Sequence, residues 1–103
     1  MTLNQEQKKR FKSIGHHLKP VLIVGENGLN EGVQAELERA LNDHELIKVK
    51  FNLAEREDRR KLMDEMCQAA KCELVQTIGK MALVYRKAAQ QNRSLSNVVR
   101  YSL

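Results

Sequence analysis

The sequence predicts a single small domain of the α+β or α/β class, a four-stranded mixed sheet with helices packed on it. Three observations carry that reading. Residues 47–53 alternate, with Ile47, Val49, Phe51 and Leu53 set against Lys48, Lys50 and Asn52, the period of a strand with one buried face. Short apolar runs at 21–24, 74–78 and 81–85 supply three more strands. Segments with helical spacing precede and separate them, giving the order α-β-α-β-α-β-β, and 103 residues suffice for one modest core.

Thr2-Leu3-Asn4-Gln5 fits a capping box at the start of the first helix. Leu3, Gln7, Phe11 and Ile14 then share a face, Lys8, Lys9 and Lys12 project elsewhere, and Gly15 is placed as the stop. His16 to Lys19 form a linker, and Pro20 commits the chain to extended structure. The strand Val21-Leu22-Ile23-Val24 runs into Gly25-Glu26-Asn27-Gly28. Two glycines around a two-residue tip let another molecule's backbone approach the loop's N–H groups, and a phosphate is the natural guest at such a loop before a helix. The same loop logic clamps nucleic-acid backbone in KH domains.

Asn30 is placed as the N-cap of a second helix, with Val33, Leu37, Ala40 and Leu41 on its inner face and Glu31, Glu36, Glu38 and Asp43 outside. In the strand that follows, Lys48 and Lys50 sit side by side on the open face. A third helix is expected from Glu55 to Lys71, packing Leu62, Met66, Ala69 and Ala70, with its methionines as core filler. The last two strands join at Gly79-Lys80 as a tight hairpin. Residues 1–87 make the domain, and residues 88–103 are read as a polar, basic and mobile tail on which Val98, Val99 and Tyr101 could dock late.

The formal charge is +5, and its distribution says more than its total. Met1 to Val24 holds five Lys/Arg against one acid, and Arg86 to Leu103 holds four against none. Gly25 to Leu46 holds one Arg against six acids, whereas Ile47 to Tyr85 is nearly balanced, with eight Lys/Arg against six. If the two termini meet in the fold they form a basic surface of the kind that releases counterions from a phosphate backbone.

No apolar run is long enough to span a bilayer, and no apolar signal segment opens the chain, so a cytoplasmic protein without membrane partners is expected. Cys67 and Cys72 read as reduced thiols, without the further ligands that a zinc site needs. No metal or other cofactor and no catalytic residues are expected, because no convergent constellation is present. His16 and His17 are adjacent and point apart in an extended linker, His44 sits at a helix end, and the glycines complete no nucleotide-binding pattern.

The segment from Leu18 through Gly25-Glu26-Asn27-Gly28-Leu29, then Glu31-Gly32-Val33, His44 to Lys50, and Ile78-Gly79-Lys80 before Tyr85-Arg86 resembles the CRM domain, named for chloroplast RNA splicing and ribosome maturation. The resemblance is closest to the stand-alone bacterial, YhbY-like form, and it covers Thr2 to about Lys87. It implies a fold similar to the C-terminal domain of translation initiation factor three, with strand order 1-2-4-3. It also implies RNA binding, and association with precursors of the large ribosomal subunit. The loop tip then falls on Gly25, Glu26, Asn27 and Gly28, with a basic patch beside it from helix one through Lys19. Glu26 departs from the polar or basic residue often found there.

Together these readings describe an RNA-binding protein, not an enzyme, that meets structured ribosomal RNA as a monomer, without DNA specificity, and acts in large-subunit assembly. The loop, Lys8, Lys9, Lys12, His16, Lys19, Lys48 and Lys50 would carry the contacts. The alternative is a protein–protein adaptor that docks a basic ribosomal partner on acidic helix two.

Overall fold

In the computed structural model, which describes residues 3–101, the chain runs α1 (Gln5–Gly15), β1 (Pro20–Val24), α2 (Glu31–His44), β2 (Leu46–Phe51), α3 (Arg56–Ala70), β3 (Glu73–Ile78), β4 (Met81–Tyr85) and α4 (Asn97–Arg100). Parallel strands need a crossover, and α2 supplies it between β1 and β2. The short hairpin between β3 and β4 makes that pair antiparallel, and β4 also pairs antiparallel with β2. The sheet order is β1-β2-β4-β3, the order that the family resemblance implies.

Each face of the sheet has its own core. On one face α2 and α3 close over Val24, Ile47, Val49, Phe51, Ala82 and Val84, contributing Leu37, Leu41, Met63 and Met66. On the other, Phe11 and Ile14 of α1, with Leu3 just ahead of it, pack onto Leu46, Val75, Leu83 and Tyr85, with the Phe11 and Tyr85 rings 4.7 Å apart. Arg86 ties the first layer together. Its guanidinium donates to Glu38 of α2 at 2.7 Å, to Asn42 at 3.0 Å and to the carbonyl of Ala70 at the end of α3 at 2.9 Å.

Several local expectations shift by a turn or less. The capping box of α1 is built by Asn4 and Gln7: Asn4 Oδ1 accepts from the Gln7 amide at 2.8 Å, and Gln7 Oε1 accepts from the Asn4 amide at 3.1 Å. Gln7 is therefore an exposed cap residue and not part of the buried stripe, and Thr2 lies outside the described residues. Gly15 is the last residue of the helix, in helical rather than left-handed conformation. A Cβ there would stand 2.7 Å from Leu83 Cδ2, so glycine is what lets α1 approach the sheet so closely. In α3 the buried positions are Met63, Met66 and Ala70, while Ala69 is exposed. Lys71 ends that helix in the left-handed region, and Cys67 and Cys72 are free thiols around the turn.

The largest difference concerns the tail. Of the described residues read as mobile, Ala88, Ser96 and Asn97 are buried, and the anchor is Glu45, a buried carboxylate at φ 62° just after α2. It accepts from the Ala88 amide at 2.8 Å, from Gln91 Nε2 at 2.6 Å and from Ser96 Oγ at 2.7 Å. Asn97 Nδ2 donates to the Leu46 carbonyl at 2.7 Å, and Arg10 donates to the Val98 carbonyl at 2.9 Å, so the tail closes against β2 and α1. The Leu95 carbonyl can only accept, so His44 Nδ1, 2.9 Å away, carries the proton.

Burial pushes the Glu45 carboxyl up, but the hydrogen bonds from Gln91, Ser96 and Ala88 and the field of Lys87 outweigh it and hold the group below its ordinary value. A lowered folded-state value stabilises the fold at neutral pH, and this contribution is lost as pH falls below the ordinary carboxylate range. Glu45→Gln should set an amide donor against donors and cost about 1–3 kcal/mol. Chemical denaturation should give that loss, and the hydrogen-exchange protection of residues 88–101, relative to the intrinsic rate at each pH, should fall both in the variant and in the wild type at acid pH. An unchanged exchange pattern would show that the tail is held by something else.

Candidate nucleic-acid interface

The α1 face of the sheet is only half covered. Cross-strand register sets Ile23, Lys50, Met81 and Ile78 side by side across all the strands, with Lys48 opposite Leu83 and Leu83 opposite Gln76 in the next row. Since Ile47, Val49 and Phe51 point to the α2–α3 core, Lys48 and Lys50 must point the other way. α1 covers the end of this face at Leu46 and Leu83 and leaves the rest open, so that Ile23 and Ile78 are 59% and 58% exposed.

Sequence-predicted residues meet on this open face. Gly15 and His16, at the end of α1, line one shallow pocket with Lys48, Gln76, Ile78 and Met81. Lys19 precedes Pro20, whose register partner is Lys48, so the linker flanks the same lysine row. Lys12 lies one turn back from the sheet end of α1, and Lys8 and Lys9 two turns back. The Gly25–Gly28 loop, however, leaves from the other end of β1, beyond Val24 and its partner Phe51. At about 3.3 Å per residue, Phe51 is roughly 17 Å along β2 from the end that α1 covers. Helix one and the loop are thus separate clusters, with Lys48 and Lys50 between them.

The loop itself is a closed turn. The Gly28 amide donates to the Gly25 carbonyl at 3.0 Å, and Gly28 holds φ 66°. Nothing lies within 4 Å of where a Gly25 Cβ would stand, so the loop is open to approach on that side. The groove between the loop and α3 has the opposite character. Glu26, Glu55, Asp58 and Glu65 line it against Lys61, so phosphate is repelled there. At the start of α2, Asn30 Oδ1 accepts from the Val33 amide at 2.9 Å, and Glu31 in the first turn adds negative charge.

Acidic α2 is partly engaged in the fold: Glu38 holds Arg86, and Glu36 pairs with Arg39 at 2.8 Å. Sequence reading passed over Arg56, Arg59 and Arg60, which entered only as part of a balanced segment. Their i, i+3, i+4 spacing was the available signal, because it puts them on one side of α3. Among the described residues no group of His, Cys, Asp or Glu could hold a metal ion, and no helix is long and apolar enough to cross a membrane.

Comparison with known proteins gives a consistent result. The chain matches the family model of the CRS1 / YhbY (CRM) domain over residues 3–86. It is 72% identical over 102 residues to a Pseudomonas aeruginosa protein named as a probable RNA-binding protein, covering 99% of this chain and 98% of that one. A Haemophilus influenzae protein named as an RNA-binding protein is 46% identical over 89 residues, 86% of this chain and 90% of its own. The solution structure of a Staphylococcus aureus protein superposes with a TM-score of 0.75 at 31% identity, covering 86% of this chain and 93% of that one. With the family model spanning both cores and the open lysine face, the chain belongs to the CRS1 / YhbY (CRM) domain family.

Proposed function

We propose that this protein binds structured RNA through the open sheet face, the basic side of α1 and the outer side of the Gly25–Gly28 loop. We further propose that its target is ribosomal RNA and that it acts as a cytoplasmic monomer in assembly of the large subunit. The observation that carries the reading is the β2 register, which turns the half-buried Lys48 and Lys50 away from the α2–α3 core onto the open face, with His16 beside Lys48. The relatives' names support an RNA partner. Recognition is by phosphate and shape rather than by stacking on the sheet, since Phe11, Phe51 and Tyr85 are buried in the cores and the exposed Tyr101 lies beyond β4, stacked on His17. Binding, not catalysis, is what such a face does. The adaptor reading through α2 is weaker, because Glu38 already serves Arg86.

Lys48→Gln/Lys50→Gln and Lys8→Gln/Lys9→Gln/Lys12→Gln/Lys19→Gln should both fold, since none of these residues lies in either buried core. In fluorescence titrations with large-subunit ribosomal RNA, each lost phosphate contact should lower the log–log salt slope by about 0.7–0.9. Unchanged affinity and slope in both variants would remove this surface from the function. Crosslinking in cells should place the crosslinked nucleotides in large-subunit RNA, and attachment to precursor particles should be lost after nuclease treatment.

The loop is tested at its two glycines separately. Gly28→Ala should cost about 1–2 kcal/mol of stability because an L-residue resists φ 66°. Gly25→Val has open space and no positive φ, so thermal melting should be close to wild type while RNA affinity falls. If Gly25→Val binds as the wild type does, the loop is only a turn.

A further inference from the structure

A second basic cluster lies on the opposite face of the sheet from Lys48 and Lys50. Arg56, Arg59 and Arg60, from the first turns of α3, face Thr77 and Gly79 of the β3–β4 hairpin across a cleft of about 370 Å³ floored by Met63. No carboxylate lines this cleft, in contrast to the acidic groove on the other side of the same helix. Glu57 and Asp58, in the first turn of α3, are not among its walls. Asp64 meets Arg60 at 3.6 Å, but both side chains are more than half exposed, so a phosphate can displace that contact at little cost.

The cleft is also built to hold its shape. Arg59 Nη1 donates to the carbonyls of Leu53 and Ala54, each at 2.9 Å, which fixes the guanidinium. Of its five N–H groups, three are left to meet a ligand. The hairpin opposite is pinned, because the Lys80 carbonyl accepts from the Phe51 amide at 2.7 Å. An arginine held in place in this way suits phosphate oxygens, which its guanidinium can bind in pairs at low entropic cost, with Arg56 and Arg60 adding charge beside it.

Geometry connects this cleft to the open face. β3 is an edge strand, and along it Gln76 and Ile78 stand on the α1 side while Thr77 stands on the α3 side. A backbone crossing the lysine rows therefore reaches the arginine cleft by passing over one strand edge. We propose that the cleft between α3 and the β3–β4 hairpin is a second phosphodiester subsite, so that one RNA is gripped on both faces of the sheet. This rests on the RNA-binding reading of the open face.

The test uses the full chain and large-subunit ribosomal RNA transcribed in vitro, with affinity measured across a salt series. Arg56→Gln/Arg60→Gln leaves the fixed Arg59 in place and should lower the log–log salt slope by about 1.4–1.8, with roughly tenfold weaker binding at low salt. Thr77→Glu, a single exposed change that puts a negative charge in the cleft, should weaken binding in the same direction. Combined with Lys48→Gln/Lys50→Gln, the arginine changes should lower the slope further, as expected if the clusters hold separate phosphates. If the arginine and Thr77 variants bind as the wild type does while the lysine variant is weakened, the second subsite is refuted and the open-face reading stands. If the Lys48/Lys50 variant and the Lys8/Lys9/Lys12/Lys19 variant are also unaffected, both readings fail.

Discussion

The register of β2 is the constraint on which the rest depends. This strand lies between β1 and β4, and its odd-numbered residues Ile47, Val49 and Phe51 are fully buried in the α2–α3 core. A slip of one residue would carry Lys48 and Lys50 into that core and expel three large apolar side chains, an exchange the chain cannot sustain. The solvent-facing lysines are therefore the other half of the core pattern and not an addition to it. Their neighbours on β1 and β4 are fixed by the same register, so the composition of the open face follows from packing on the far side.

Net charge alone describes this molecule poorly. Of the basic residues after β4, Arg86 has only 19% of its side chain exposed and is spent holding α2 and α3 together. Arg10, on the basic first helix, is likewise turned to the Val98 carbonyl. What distinguishes the surfaces is where acids are missing: the open sheet face and the α3–hairpin cleft lack them, while the loop groove gathers them. The loop that stands out in the sequence is thus flanked on one side by its own repulsion.

Features set by near neighbours in the chain were legible. The alternation of β2, the Asn30 cap, the hairpin at Gly79 and the lysine pair all read directly, because each is a pattern within a few residues. Two overlapping box patterns began α1, and the choice of Asn4 over Thr2 puts Gln7 outside the core while Phe11 and Ile14 still meet the sheet. Gly15 was ambiguous in sequence because a glycine near a helix end serves equally as a stop or as a contact. Illegible features depended on distance. Nothing around Gln91 or Ser96 announces that a carboxylate some 50 residues earlier will bond them. The arginine cleft was hidden for the same reason, since its other wall is the hairpin.

The Glu45 anchor also divides the chain into a sheet and a strap. The β3–β4 hairpin is local, and the crossover through α2 brings β1 to β2 before residue 52. Both cores draw on nothing beyond Tyr85 except the flanking contact of Val98. The two-sided sheet is therefore built from residues up to Tyr85, while the three donors to the Glu45 carboxylate all lie beyond β4. One acid at the end of α2 thus holds the strap to the sheet, and without the strap it would be left as a carboxylate lacking every one of those partners.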